Sequence, residues 1–131
     1  MSEASSHPEH RLVWAEIPVS DLEAARVYYG SVLGTDLPIN NDGPNPMVDL
    51  PIADMGRGIS AHLYPGKPAP DGIGPTIHLL AAGTLEETAD RVVEAGGKVL
   101  SPPIDIPVGS FIYTLDPDGN SVGWFRFKGA S

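Results

Sequence analysis

The sequence has 131 residues, no cysteine, and 17 Asp and Glu against 8 Lys and Arg, which gives a net charge of −9. This composition excludes disulfides, a thiol nucleophile and a Cys-ligated zinc, and the charge argues against a nucleic acid or an anionic membrane as partner. With 41% hydrophobic residues, no apolar segment near the ~20 residues of a membrane span and no signal-peptide pattern at its start, we expect a soluble, cytoplasmic globular domain.

The first part of the chain is predicted to be a tail followed by a β-strand. Residues 1–10 are polar and predict a flexible N-terminal tail. Residues 11–19 predict a strand, and the alternation of side chains along a strand places Trp14, Glu16 and Pro18 together on one face. The opposite face then carries the apolar side chains that would pack in a core.

A helix and two short strands follow. Ser20-Asp-Leu-Glu23 has the pattern of a capping box, with Ser20 as the first residue outside the helix. Apolar residues then recur at helical spacing until Gly34, which is a suitable C-terminal cap. Residues 47–52 and 59–64 are predicted to be short strands.

The same order of elements begins again after residues 65–74, which are too rich in Pro and Gly for regular structure. Residues 75–81 predict a strand, Thr84-Leu-Glu-Glu87 is a second capping box, and Leu85, Ala89, Val92 and Val93 form an apolar stripe. The predicted strands after this helix are 98–100, 111–115 and 120–127.

Each half therefore consists of a strand, a helix and up to three further strands, of which the first half shows only two clearly. The capping boxes start 64 residues apart, and the glycines Gly34 and Gly97 are 63 residues apart. Self-similarity at a near-constant spacing indicates a duplicated unit. The difference of one residue matters, because a shift of one residue reverses the two faces of a strand.

Four stretches in this order resemble the vicinal-oxygen-chelate superfamily of glyoxalases, bleomycin resistance proteins and extradiol dioxygenases. They are Ile17–Glu23, Tyr28–Gly34, Val93–Val99 and Leu115–Asn120. The resemblance implies an α+β domain over residues 11–127, with βαβββ modules at 11–64 and 75–127 joined by 65–74. The strands would form a cup-shaped mixed sheet with the helices outside, usually within a homodimer.

The resemblance also implies a divalent metal held by four ligands inside the cup. The first-strand ligand position falls on Trp14 and the last-strand position on Gly123, and neither side chain can coordinate a metal. His62 and His78 lie near the other two positions, although His78 is one residue out of register with its capping box. A rearranged set of Glu16, His62 and His78 would suit Fe, Mn, Ni or Zn.

Each candidate residue also has a purely structural interpretation, and the sequence leaves both open. A histidine in a strand, such as His62 or His78, is commonly packed or exposed without any ligand role. Glu16 would form an ion pair with Arg126 or Arg57 or lie exposed at the mouth of the cup. In its functional interpretation it would be a general base in an apolar pocket.

Three functions are consistent with these residues. In the first, the aromatic side chains Trp14, Tyr64, Tyr113 and Phe125 line a cup that binds a small organic molecule without a cofactor, and Gly123 leaves room beside it. In the second, the rearranged site supports a metal-dependent lyase, isomerase, epimerase or dioxygenase. In the third, the chain is a metal-free acid–base enzyme that uses Glu16.

Overall fold

The computed structural model describes residues 6–8, 10–54 and 57–129, so residues 1–5 and 9 of the expected tail lie outside the described part. Within these ranges two α-helices, α1 (Leu22–Leu33) and α2 (Leu85–Glu94), alternate with groups of strands. The strands are β1 (Trp14–Val19), β2 (Val48–Asp49), β3 (Ser60–Pro65), β4 (Ile77–Leu80), β5 (Lys98–Val99), β6 (Ile104–Ile106), β7 (Gly109–Leu115) and β8 (Ser121–Phe127). The predicted α+β class is confirmed.

The strands form two mixed sheets that correspond to the two halves of the sequence. In the first, called the module-1 sheet, the order is β1-β3-β2, with β1 parallel to β3. In the second, the module-2 sheet, β4 is parallel to β8, which pairs with β7, and both β5 and β6 pair with β7. The strand that the first half showed only weakly is reduced to one bridge between Asn40 and Met47.

The two helices begin at differently placed caps. The predicted box at Ser20 is wrong, because the N-cap of α1 is Asp21 and the Ser20 hydroxyl donates instead to Asp118 at 2.5 Å. The box between Thr84 and Glu87 is confirmed, with both of its hydrogen bonds at 3.0 Å. The two caps are thus separated by the same interval as the glycines that follow the helices.

The core lies between the helices and one face of each sheet. Its fully buried side chains include Ile17, Val19, Val32, Leu63, Val92, Ile112 and Trp124. Val93 was expected in the apolar stripe of α2, but it is 61% exposed, because α2 turns only one side toward the sheets. Among the described helices, none is long and apolar enough to cross a membrane.

Polar contacts at the turn between β7 and β8 join the two modules. The hydroxyl of Tyr29, on α1, donates to the buried carboxylate of Asp116 at 2.7 Å. The side chain of Asn120 donates both to Asp116 at 2.9 Å and to the carbonyl of Pro18 on β1 at 2.8 Å. The Asp-Pro-Asp-Gly-Asn turn is therefore a structural joint between the modules.

Candidate functional site

Each sheet has one face packed against a helix and an opposite face, here called its open face, that points away from the helices. Strand alternation assigns the side chains to these faces. The open face of the module-1 sheet carries Trp14, Glu16, Asp49, Ser60, His62 and Tyr64. The open face of the module-2 sheet carries His78, Leu80, Phe111, Tyr113, Gly123 and Phe125.

A row of three titratable side chains crosses the open face of the module-1 sheet. Glu16 and Asp49 are the neighbours of His62 on the two adjacent strands. Glu16 Oε2 lies 3.1 Å from His62 Nε2, and the Glu16 side chain is 55% exposed. The predicted ion pair of Glu16 with an arginine is thus replaced by a contact with His62, while Arg126 donates to a backbone carbonyl at Gly83.

Trp14 lines a cavity on this same face, which we call the Trp14 groove. The indole is 60% exposed, although it is fixed at the first residue of β1. The groove encloses about 550 Å³. Its walls include Val13, Trp14, Asp49, Ile52, Arg57 and His62. It therefore combines an aromatic surface with both acidic and basic side chains, and its volume lies within the range of small-molecule sites.

On the module-2 sheet, the histidine and the glycine of the candidate site lie against each other. His78 and Gly123 are direct neighbours on the parallel strands β4 and β8. A Cβ at Gly123 would collide with the His78 imidazole. The ring centroid of His78 also lies 5.1 Å from that of Phe111 and 5.9 Å from that of Tyr113. The expectation that Gly123 leaves room for a ligand is wrong, because the His78 ring occupies this space.

The facing of His78 follows from the linker between β4 and α2. Trp14 precedes its helix cap, Asp21, by seven residues, whereas His78 precedes Thr84 by six, and yet both lie on open faces. The linker of module 2 is therefore one residue shorter, and it contains Gly83, which has a φ of +86°. A positive φ is easily adopted by glycine, so the sequence can change register here.

The residues present do not fit the divalent metal that the resemblance implies. Trp14 and Gly123 supply no ligand at two of the four positions. Among the described residues, no three or more His, Cys, Asp or Glu side chains form a group that could hold a metal ion. The proposed set of Glu16, His62 and His78 is thus corrected: Glu16 and His62 meet on one sheet, whereas His78 packs among the rings of the other.

The predicted aromatic ligand-binding residues are divided in the same way. Tyr64 lies beside His62, with ring centroids 6.5 Å apart, and Tyr113 and Phe125 lie on the open face of the module-2 sheet. The Phe125 ring packs edge-on against Phe127 at 4.8 Å. Of the four aromatic side chains, only Trp14 lines the Trp14 groove.

Asp49 was missed as a site residue, whereas Arg57 entered the sequence analysis as a possible ion-pair partner of Glu16. Asp49 reaches the row because β2 pairs with β3 in a register that sets it beside His62. Asn40 donates to it at 3.2 Å. In the sequence, only the alternation of Val48 and Asp49 indicated on which face of the sheet Asp49 lies. A strand of two residues is too short for such an alternation to be decisive.

Comparisons with known proteins agree with the architecture. A family model described as the Glyoxalase/Bleomycin resistance protein/Dioxygenase superfamily matches residues 11–123. Two curated proteins from Mycobacterium bovis and Mycobacterium tuberculosis, both called "Putative glyoxylase CFP32", are 28% identical over 116 residues, or 86% of this chain. The chain spans only 44% of the length of these relatives.

Solved structures share the fold at low identity. A hypothetical protein, SA1046 from S. aureus, is 24% identical, with a TM-score of 0.64 over 91% of this chain and 99% of that one. A glyoxalase/bleomycin resistance protein from Albidiferax ferrireducens T118 is 22% identical, with a TM-score of 0.63 over 88% of this chain and 97% of that one. At these identities the likeness bears on the fold alone.

Proposed function

Since the chain belongs to the glyoxalase/bleomycin resistance protein/dioxygenase superfamily, we propose that it binds a small, flat organic molecule in the Trp14 groove. One observation carries this proposal. The side chain at the position where the resemblance implies a metal ligand is an indole, and this indole is 60% exposed on the wall of a cavity of about 550 Å³.

The chemistry of the groove supports a flat ligand. An exposed indole offers a rigid apolar surface against which another ring can stack, at a gain of roughly 0.5–1.5 kcal/mol beyond the area buried. The apolar side chains Val13 and Ile52 share the groove with Trp14 and are themselves 65% and 37% exposed. A bound ring would remove part of this apolar surface from water, which is the main favourable contribution to binding.

The proposal is tested by calorimetric titration with 2-naphthalenemethanol, a flat neutral probe. We expect the wild type to bind it and the Trp14→Ala variant to bind it about tenfold more weakly, equivalent to about 1.4 kcal/mol. Val93→Ala is the matched control, since it also shortens an exposed apolar side chain but on α2. Equal affinities of Trp14→Ala and wild type would contradict the proposal.

A second candidate function, acid–base catalysis, is favoured by the contact between Glu16 and His62. In such a step the Glu16 carboxylate accepts a proton from a carbon beside a carbonyl group, and the electron pair of the broken C–H bond passes to the carbonyl oxygen. His62 holds the carboxylate in place through the 3.1 Å contact. Because Glu16 is half exposed, a ligand in contact with the same sheet face can reach it.

This second candidate is tested with 2-tetralone in D₂O, by following the exchange of its acidic C–H protons by NMR. If Glu16 is the base, the wild type accelerates exchange above the buffer rate and Glu16→Gln abolishes the acceleration. Glu23→Gln, which removes a carboxylate that pairs with Arg26 on α1, is the control and leaves it unchanged. Exchange at the buffer rate with the wild type would exclude this role for Glu16 with this carbon acid.

We also propose, from the resemblance, that the chain forms a homodimer. The open face of the module-2 sheet supports this, since Leu80 and Phe127 are 62% and 57% exposed. Apolar groups clustered on an exposed sheet face are typical of interaction surfaces. Light scattering after gel filtration measures the mass directly, and a mass of one chain at all concentrations would contradict the dimer.

A further inference from the structure

One cation in the Trp14 groove has no protein partner among the described residues. The other four arginine side chains each donate a hydrogen bond to another residue: Arg11, Arg26, Arg91 and Arg126. Arg57 lines the groove, and its guanidinium makes no such bond within the part of the chain that the structure describes. Its five N–H donors are therefore available to a ligand.

The carboxylates on the open face of the module-1 sheet already have partners within the protein. Glu16 is in contact with His62 at 3.1 Å, and Asp49 accepts from Asn40 at 3.2 Å. Arg57, by contrast, keeps its full hydrogen-bonding capacity among the described residues that line the groove, and its charge is positive. We infer that the Trp14 groove selects a flat aromatic molecule with a single negative charge, whose carboxylate is bound by Arg57.

This inference rests on the proposed function and adds to it the class of the ligand. Trp14 provides the stacking surface and Arg57 the anion contact, and both line one cavity. A guanidinium is planar, and its paired N–H groups match the two oxygens of a carboxylate. The aromatic body and the charged group of the ligand would therefore each have a matching partner.

A single negative charge is favoured over two. Asp49 lines the groove, Glu16 lies in the same row, and the whole chain has a net charge of −9. A dianion such as a phosphate monoester would be repelled by both carboxylates, and one guanidinium would neutralise only half of its charge. A carboxylate balances Arg57 without excess charge.

The experiment compares three probes with the same ring system: 2-naphthoate, 2-naphthalenemethanol and 2-naphthyl phosphate. Calorimetric titration of the full-length chain is expected to show about tenfold tighter binding of the naphthoate than of the alcohol. The phosphate is expected to bind more weakly than the naphthoate. In Arg57→Met the preference for the naphthoate over the alcohol is expected to disappear.

Arg26→Met is the matched control, since it removes the same charge from α1, where Arg26 pairs with Glu23 at 2.8 Å. This variant is expected to keep the preference. If the wild type binds naphthoate and alcohol equally, or if Arg57→Met keeps the preference, the inference is overturned while binding at Trp14 still stands. Tighter binding of the phosphate than of the naphthoate overturns the single-charge selection. Failure of the proposed function gives a different result: the alcohol then binds the Trp14→Ala variant with the same affinity as the wild type.

Discussion

The open faces of the two sheets have the same architecture but different chemistry. The module-1 sheet presents a polar row centred on His62 next to the exposed indole of Trp14. The module-2 sheet presents packed rings, with His78 edge-on against Phe111 and Tyr113. A repeated fold therefore provides two similar surfaces, and the side chains alone decide which of them can act as a polar binding site.

The two open faces also share one arrangement of side chains. Trp14 is the strand neighbour of Ser60, and His78 is the strand neighbour of Gly123, so that each face sets a large ring beside a small residue. In module 2 the ring lies over the glycine and closes the space. In module 1 the Ser60 hydroxyl donates to the carbonyl of Leu50 at 2.5 Å, and the indole stays exposed.

The largest expected effect concerns the joint between the modules. Tyr29→Phe removes the 2.7 Å hydrogen bond to the buried Asp116 carboxylate, and we expect a loss of about 2 kcal/mol in the free energy of unfolding. Urea denaturation followed by circular dichroism measures this loss. A single transition is expected, because the core is continuous across both modules. Two separate transitions would show that the two modules unfold independently of each other.

Tyr28→Phe is the matched control on the same helix. The Tyr28 hydroxyl is buried and has no hydrogen-bond partner among the described residues. Its removal should therefore leave the stability unchanged or raise it, since a buried unsatisfied hydroxyl is unfavourable. A loss as large as that of Tyr29→Phe would mean that the effect comes from packing and not from the bond to Asp116.

The same two tyrosines predict how stability depends on alkaline pH. Burial raises the pKa of Tyr28 and Tyr29, and the negative charge of Asp116 raises both further. In the unfolded chain a tyrosine ionises near pH ~10, so above this pH the unfolded state releases protons that the folded state keeps. Stability from these groups is thus complete below about pH 10 and falls as the pH rises toward the folded-state values. Urea midpoints at rising pH should show this fall, and a smaller one in Tyr28→Phe.

Local chemistry was enough to predict much of the fold. The second capping box and the glycine that ends α1 were identified correctly, because their contacts are within a few residues. The first cap was misplaced because Ser20 and Asp21 are both good caps. The choice between them is made by Asp118, which accepts from Ser20 across 98 residues of sequence.

The site was harder to predict for the same reason, since its geometry depends on strand pairing. His78 meets Gly123 only through the pairing of β4 with β8, and Asp49 meets His62 only through that of β2 with β3. Such registers are fixed by the packing of whole sheets. Trp14 and Glu16 were placed on the same face correctly, because the alternation within one strand is sufficient to show it.

A moderate effect is expected at Gly123. Gly123→Val places side-chain atoms where the His78 ring lies, and overpacking of this kind should cost about 1–2 kcal/mol. Adding His78→Ala frees the space, so that the same substitution becomes less costly in this background. Thermal and urea unfolding of the four proteins in this cycle give the coupling energy. No coupling would mean that the ring is not what requires a glycine here.

The smallest effect is expected in the polar row. The contact between Glu16 and His62 is partly exposed to water, so a double-mutant cycle of Glu16→Gln and His62→Gln should give a coupling of only about 0.2–1 kcal/mol. Added salt should weaken it further, because water and ions screen a half-exposed pair. Urea unfolding at low and high salt measures both quantities. A much larger coupling would indicate that the row stabilises the sheet, whereas a small one agrees with side chains kept for contact with a ligand.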